Sequence, residues 1–176
     1  MKIGLDIDGV IYPWHYSIVR YFKEFRNFEG TDYEFWDMFN SLPQSKQDYF
    51  VSIPMLYSDT SITEDARDYL PKLAELGELF YITSRAVVLQ TLTQKFFDFY
   101  QVPFKENLIF EKDKASVVRL LGLDYFVDDI SRNLEKVRGI TTAFLFRQAH
   151  NRDFREGYNT VGSLKEVYHN IIGEQK

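Results

Sequence analysis

Met1-Lys2-Ile3-Gly4-Leu5-Asp6-Ile7-Asp8-Gly9-Val10-Ile11 opens the chain, and its reading decides the fold. Ile3, Leu5, Ile7, Val10 and Ile11 predict a short buried strand and the turn beyond it. Residues two apart on a strand share a face, so Asp6 and Asp8 are expected to face one crevice at the strand's carboxyl end. Gly9 lets the backbone turn sharply or approach a ligand closely. Two carboxylates in a dry crevice require a cation or a shared proton. An oxygen-only donor set points to magnesium with retained waters. The plain alternative is a strand ending in a solvated Asp-rich turn. A calcium loop fits poorly: its glycine belongs five positions after the first Asp, and Ser17 stands where its bidentate Glu should be.

A chain of 176 residues suffices for one domain with a full core and a small insertion. The absence of cysteine excludes disulfides and thiolate metal sites. A net charge of −5 without a long basic run argues against a nucleic-acid polymer as partner. The strand beginning at Lys2 leaves no room for a signal peptide, and no uncharged apolar run approaches ~18 residues. A soluble, cytoplasmic protein with no membrane partner is therefore expected; its oligomeric state is not legible.

Residues 12–57 hold 14 of the 30 aromatic residues. Ile18, Tyr21, Phe22 and Phe25 recur at helical spacing, Asn27 to Asp32 reads as a break, and Pro43 and Pro54 punctuate further helical fragments. This predicts a small helical insertion, 13–57, most of whose aromatics form its own core. Trp14, Phe35 and Trp36, near the junction or a segment start, are expected to face outward. Beyond it, Ser61-Ile62-Thr63-Glu64 reads as a capping box opening a helix to Leu76. Apolar strands are expected at 79–82, 107–110, 125–127 and 142–146, alternating with helices that include one from about Val87 to Tyr100. Asp113 is the expected cap of the helix starting at Lys114, and Ser163-Leu164-Lys165-Glu166 opens the last helix. The alternation predicts an α/β fold: an open parallel sheet of about five strands with helices on both faces, core 1–12 and 58–176. Asp6 and Asp8, Thr83 and Ser84, and Asp128 and Asp129 then fall at the carboxyl ends of three strands, the edge where such sheets bind ligands.

With Asp6-Ile7-Asp8-Gly9-Val10, Thr83 after an apolar strand, and Asp128-Asp129 after Tyr125-Phe126-Val127, the chain resembles a haloacid dehalogenase-superfamily phosphatase. Phe144-Leu145-Phe146 followed by His150-Asn151-Arg152, together with Phe35-Trp36, makes it similar to the 5′(3′)-deoxyribonucleotidase-like group. That resemblance implies a magnesium-dependent phosphatase acting on (deoxy)nucleoside 5′-monophosphates. Asp6 would be the nucleophile that forms an aspartyl-phosphate. Asp8, holding a proton, would protonate the leaving alkoxide and then deprotonate water. Mg²⁺ would be held by Asp6, the Asp8 carbonyl and Asp128, with Asp129 the alternative ligand. Thr83 and Ser84, with the backbone N–H groups of Ser84 and Arg85 at a helix start, would bind phosphate. Lys114 would balance its charge, with Lys112 and Lys95 as rivals. Trp14, Phe35 and Trp36 would stack a nucleobase beneath the insertion acting as a lid.

Arg85 departs from the group's pattern, where proline is usual; it is expected either to contact substrate or to face solvent. His15, His150 and His169 have no role in this route and are expected to be structural or exposed. Two other readings share these residues. One is a phosphatase for another small metabolite. The other is a non-catalytic phospho-binding module, against which Asp8 and the insertion argue.

Overall fold

The computed structural model describes residues 1–57, 61–154 and 156–174. Six strands make one sheet: β1 (Lys2–Leu5), β2 (Glu78–Thr83), β3 (Leu108–Phe110), β4 (Tyr125–Asp128), β5 (Thr142–Phe146) and β6 (Asn159–Val161). All neighbours pair in parallel, in the order β3-β2-β1-β4-β5-β6. The chain runs outward from β1 through β2 to β3, then crosses to β4 on β1's other side. The carboxyl ends of β1 and β4 therefore flank the point where the winding reverses, and connections leaving in opposite directions open a crevice there.

The helices are α1 (Trp14–Phe25), α2 (Asp32–Ser41), α3 (Gln44–Val51), α4 (Glu64–Leu76), α5 (Gln90–Phe99), α6 (Lys114–Leu121), α7 (Ser131–Glu135) and α8 (Leu164–Glu174). Strand alternation divides the core between the two sheet faces. Ile3, Leu5, Leu79, Tyr81, Val127, Phe144 and Phe146 pack with Ala66, Leu70 and Leu73 of α4, Phe97 of α5, and Leu164, Val167 and Ile171 of α8. Phe80, Ile82, Phe126 and Leu145 face the other way, onto Ala115, Val117 and Val118 of α6 and Leu134 of α7. No helix among the described residues is long and apolar enough to cross a membrane.

Between β1 and α4, residues 14–57 are wholly helical in their regular structure: α1, α2, α3 and a 3₁₀ turn, Pro54–Tyr57. Thr31 caps α2 with a full capping box, its hydroxyl accepting from Glu34 N while Glu34 Oε2 accepts from Thr31 N. The buried face of α1 is His15, Ile18, Val19 and Phe22, whereas Phe25 is exposed and Tyr21 only partly buried. The expected set is thus displaced three residues toward the helix start, with Phe22 packed on Phe35 and Phe39 of α2 and His15 against the turn after β1.

Phe35 and Trp36 are not turned outward as expected: both are buried, Phe35 completely. The Phe35 ring packs against Phe22, Phe28, Trp36 and Phe39 at centroid separations of 5.0–5.7 Å. An aromatic at a segment start still faces inward when three helices converge on it. Phe35→Ala is expected to cost about 3–5 kcal/mol, read as a lower urea midpoint at unchanged slope. A loss below ~1 kcal/mol would place the ring outside the core.

Four local expectations are revised. The sixth strand, Asn159-Thr160-Val161, has one apolar residue and no period; only its pairing with Phe144–Phe146 of β5 makes it a strand. Thr63 rather than Ser61 caps α4, its Oγ1 accepting from Ala66 N. Val87–Leu89 form a 3₁₀ turn before α5, and Asp113 makes no side-chain cap bond to α6. At the end of α4, Gly77 is extended, and it is needed there because a Cβ would strike the Met1 carbonyl beside β1.

Candidate active site

The ladder between β1 and β4 runs one residue past the regular strand, Asp6 N–H donating to Val127 O at 2.9 Å. The chain then turns tightly. Ile7 O accepts from the N–H groups of Val10, Ile11 and Tyr12, and Gly9 N–H donates to Tyr12 O. Gly9 holds φ +87°, and a Cβ there would fall on Asp129 Oδ2 and on the His15 ring. The glycine is therefore required both by the turn and by the carboxylate packed on it. Because β1 ends at Leu5, Asp6 and Asp8 are not two steps on one strand; this turn separates their surroundings.

Asp6 is buried, and its Oδ1 accepts from Ile7 N at 2.7 Å and meets Lys114 Nζ at 2.7 Å. Lys114, in the first turn of α6, also reaches Asp128 Oδ2 at 2.9 Å. Of the three lysines considered, Lys114 alone is buried against these carboxylates, while Lys95 and Lys112 are exposed. Asp128, the last residue of β4, accepts from three protein donors. Its Oδ1 accepts from Ile130 N, and its Oδ2 also accepts from Asn133 Nδ2.

Asp129 lies differently. Its Oδ2 sits 3.3 Å from His15 Nε2 and 3.4 Å from His150 Nε2, with the two imidazoles stacked at 4.6 Å. Asn151 Nδ2 fixes the turn by donating to both Asp129 O and Phe146 O at 2.8 Å. His15 and His150 are thus part of the site's wall: His150 belongs to the loop signature after the Phe144–Phe146 strand, whereas nothing in the sequence marks His15, and the fold brings the two together. His169 is exposed.

Burial sets the titration of these groups. It pushes the Asp6 carboxyl well up, against the pull of Lys114 and with Asp128, Asp129 and Asp8 adding repulsion. It pushes Asp129 up to about 7, opposed by His150 and assisted by Asp128. Burial alone would lower Lys114, but Asp128 and Asp6 override it and hold the ammonium charged. His15 is driven down to about 4 by burial, and His150 falls for the same reason despite Asp129.

Were all four carboxylates, Asp6, Asp8, Asp128 and Asp129, to ionise beside the two permanent cations, Lys114 and Arg85, the charge left over would be what one divalent ion supplies. Ligand atoms of Asp6, Asp128 and Asp129 lie within 4.8 Å of one another, so the donor set and the charge deficit both fit a hard dication.

Thr83 ends β2 on the same edge and is buried, with Oγ1 accepting from Arg85 N at 3.2 Å. Ser84 is exposed. Since α5 starts only at Gln90, the backbone N–H groups of Ser84 and Arg85 do not lie at a helix start as expected, and that of Arg85 is already used. Arg85 itself neither faces solvent nor reaches toward open space. It is buried and grips the Asp8 carboxylate with two bonds of 2.6 and 2.8 Å. Trp14 is half-buried beside His15 and Trp36, and Trp36 packs on His150 at 5.3 Å.

Solved structures share this architecture. A haloacid dehalogenase-like family protein from Streptococcus pneumoniae superposes over 97% of both chains with a TM-score of 0.63 at 14% identity. CbbY from Rhodobacter sphaeroides, solved with phosphate, covers 94% of this chain and 95% of its own with a TM-score of 0.59 at 12% identity. Such a parallel sheet, with acids, threonine and buried lysine gathered at its switch-point edge, has the haloacid dehalogenase-like fold. Within that class, residues 1–176 match the family described as 5′ nucleotidase, deoxy (Pyrimidine), cytosolic type C protein, and the chain belongs to it. Its relatives include Nucleotidase CA_C3379 of Clostridium acetobutylicum, 24% identical over 135 residues, 73% of this chain and 70% of that one. YqfW of Bacillus subtilis, provisionally named a nucleotidase, is 25% identical over 162 residues, 86% of this chain and 83% of its own. The protein is a phosphomonoester hydrolase of the nucleotidase type.

Proposed function

We propose that the protein is a magnesium-dependent phosphatase of (deoxy)nucleoside 5′-monophosphates, working through an aspartyl-phosphate on Asp6. The observation that carries this reading is the meeting of Asp6, Asp128, Asp129 and Lys114 at the switch point. Asp6 Oδ2 has no protein donor among the described residues, in contrast to Oδ1, and supplies the free oxygen the chemistry needs.

The metal would be held by Asp6, the Asp8 carbonyl and Asp129. Asp129 is preferred over Asp128 because both Asp128 oxygens already accept from the protein. When bound, the cation lowers repulsion between the carboxylate nucleophile and the phosphate dianion. Asp6 attacks phosphorus, the P–O ester bond breaks, and the departing oxygen takes the proton carried by Asp8. Water then attacks the phosphoenzyme and gives its proton to the Asp8 carboxylate, which releases phosphate and restores Asp6. Lys114 holds the Asp6 charge in register throughout, and Thr83 and the Ser84 N–H bind phosphoryl oxygens. Residues 13–57 act as the lid over a core of 1–12 and 58–176. With Phe35 and Trp36 buried, Trp14 is the aromatic left to meet a base.

Phosphate release from a panel of deoxy- and ribonucleoside 5′-monophosphates and sugar phosphates tests the reading. Nucleotides are expected to be turned over at least tenfold faster, the scale of one good stacking contact. Equal rates on sugar phosphates would remove the nucleotide claim and leave a phosphatase for another small metabolite.

A further inference from the structure

The geometry points to Arg85 as the positioning residue for Asp8, the proton donor and acceptor of the proposed reaction, on which this inference rests. Arg85 Nε donates to Asp8 Oδ2 at 2.8 Å and Nη2 donates to Oδ1 at 2.6 Å, a two-pronged fork that fixes the carboxylate plane. Each carboxylate oxygen keeps a lone pair off the fork, available to a proton, and the Asp8 side chain remains about one-fifth exposed while that of Arg85 is closed off. The acid is thus presented to the crevice by a group that does not itself enter it.

The guanidinium is held from every other side. Its Nη1 donates to Thr93 Oγ1 at 2.9 Å, and that hydroxyl donates in turn to Leu89 O at 2.9 Å. The rings of Tyr12 and Tyr57 lie 4.9 and 4.5 Å from its central carbon, an aromatic clamp on the cation. Tyr12 is the last residue of the β1 turn before the helical segment, and Tyr57 ends that segment's final turn. Tyr12 Oη donates to Leu56 O, tying the two connections to each other. One side chain therefore joins the proton-transfer carboxylate to both hinges of the proposed lid. An arginine buried only for stability has no need of a fork to the one carboxylate whose orientation the reaction depends on. Lysine, with a single ammonium, cannot reproduce the fork.

The test separates positioning from plain structural damage by the leaving group. An alkyl ester such as a nucleoside 5′-monophosphate needs its departing oxygen protonated, whereas p-nitrophenolate leaves without help. The ratio kcat/KM reports the step that forms the phosphoenzyme, where this difference is felt. Arg85→Met is expected to lower kcat/KM on the nucleotide about 10²-fold while changing that on p-nitrophenyl phosphate by less than about threefold. Arg85→Lys should recover only part of the loss. In an Asp8→Asn background, Arg85→Met should add nothing on the nucleotide, since both act through one carboxylate. Thr93→Val, which removes only the guanidinium's anchor, should show the same split at smaller amplitude, and it carries the test if Arg85→Met does not fold. An equal fall on both esters, no change on either, or additive losses in the double variant would overturn the assignment. Wild-type protein that hydrolyses neither ester would instead overturn the phosphatase reading beneath it.

Discussion

Asp6→Asn is expected to lower kcat by on the order of 10⁴-fold or more, with no phosphoenzyme trapped on acid quench. The amide is nearly isosteric and can still accept from Ile7 N, but it cannot attack phosphorus. The fold should not suffer. Burial and three neighbouring carboxylates disfavour the charged Asp6, so a neutral side chain relieves repulsion at neutral pH, and Lys114 keeps Asp128 as partner. The thermal midpoint of the metal-free variant should therefore equal or exceed that of the wild type. A variant retaining more than a tenth of wild-type activity would remove Asp6 as the nucleophile.

Stripping divalent ions with EDTA is expected to cost at least about 10³-fold in turnover, restored by excess Mg²⁺. The same treatment should change how stability depends on pH. In the metal-free protein Asp129 is pushed up to about 7 from an ordinary value of 3.8, so the folded state binds a proton there that the unfolded chain has released. Stability then falls as pH rises from about 4 to 7, the slope following the difference in bound protons. Mg²⁺ removes the cause by compensating the charge. The rise in melting temperature on adding Mg²⁺ should accordingly be larger at pH 8 than at pH 5. Equal shifts at the two pH values would show that the ion does not bind at the Asp129 carboxylate.

The parallel sheet was legible because its strands are continuous apolar runs bounded by caps and glycines, as at Leu79–Ile82 and Tyr125–Val127. The acids at the strand ends were legible because a carboxylate breaking such a run stands out. Lys114 could be singled out from its place at the start of a helix, although only burial separates it from Lys112. What escaped depends on long-range packing. Strand Asn159–Val161 has no pattern of its own. Phe35 and Trp36 look like surface aromatics until α1, α2 and α3 close on them. Arg85 is 77 residues from Asp8 in sequence, and the fork between them comes from the adjacency of β1 and β2. His15 and His150 converge on Asp129 only because α1 and the segment after β5 lean over the same edge.

The central place of β1 has a consequence for biosynthesis. Its partners on either side are Glu78–Tyr81 and Tyr125–Val127, so β1 gains its second partner only once the much later Tyr125 strand has been made. At about 5–20 residues per second, synthesis of the roughly 120 residues up to β4 takes roughly 6–25 seconds. Through that interval Ile3, Leu5 and their backbone groups wait with open edges, while the helices of residues 14–57 can already associate through short-range contacts. Emerging chains should therefore be open to chaperone capture at the Lys2–Leu5 segment, and release should coincide with the arrival of the Tyr125 strand.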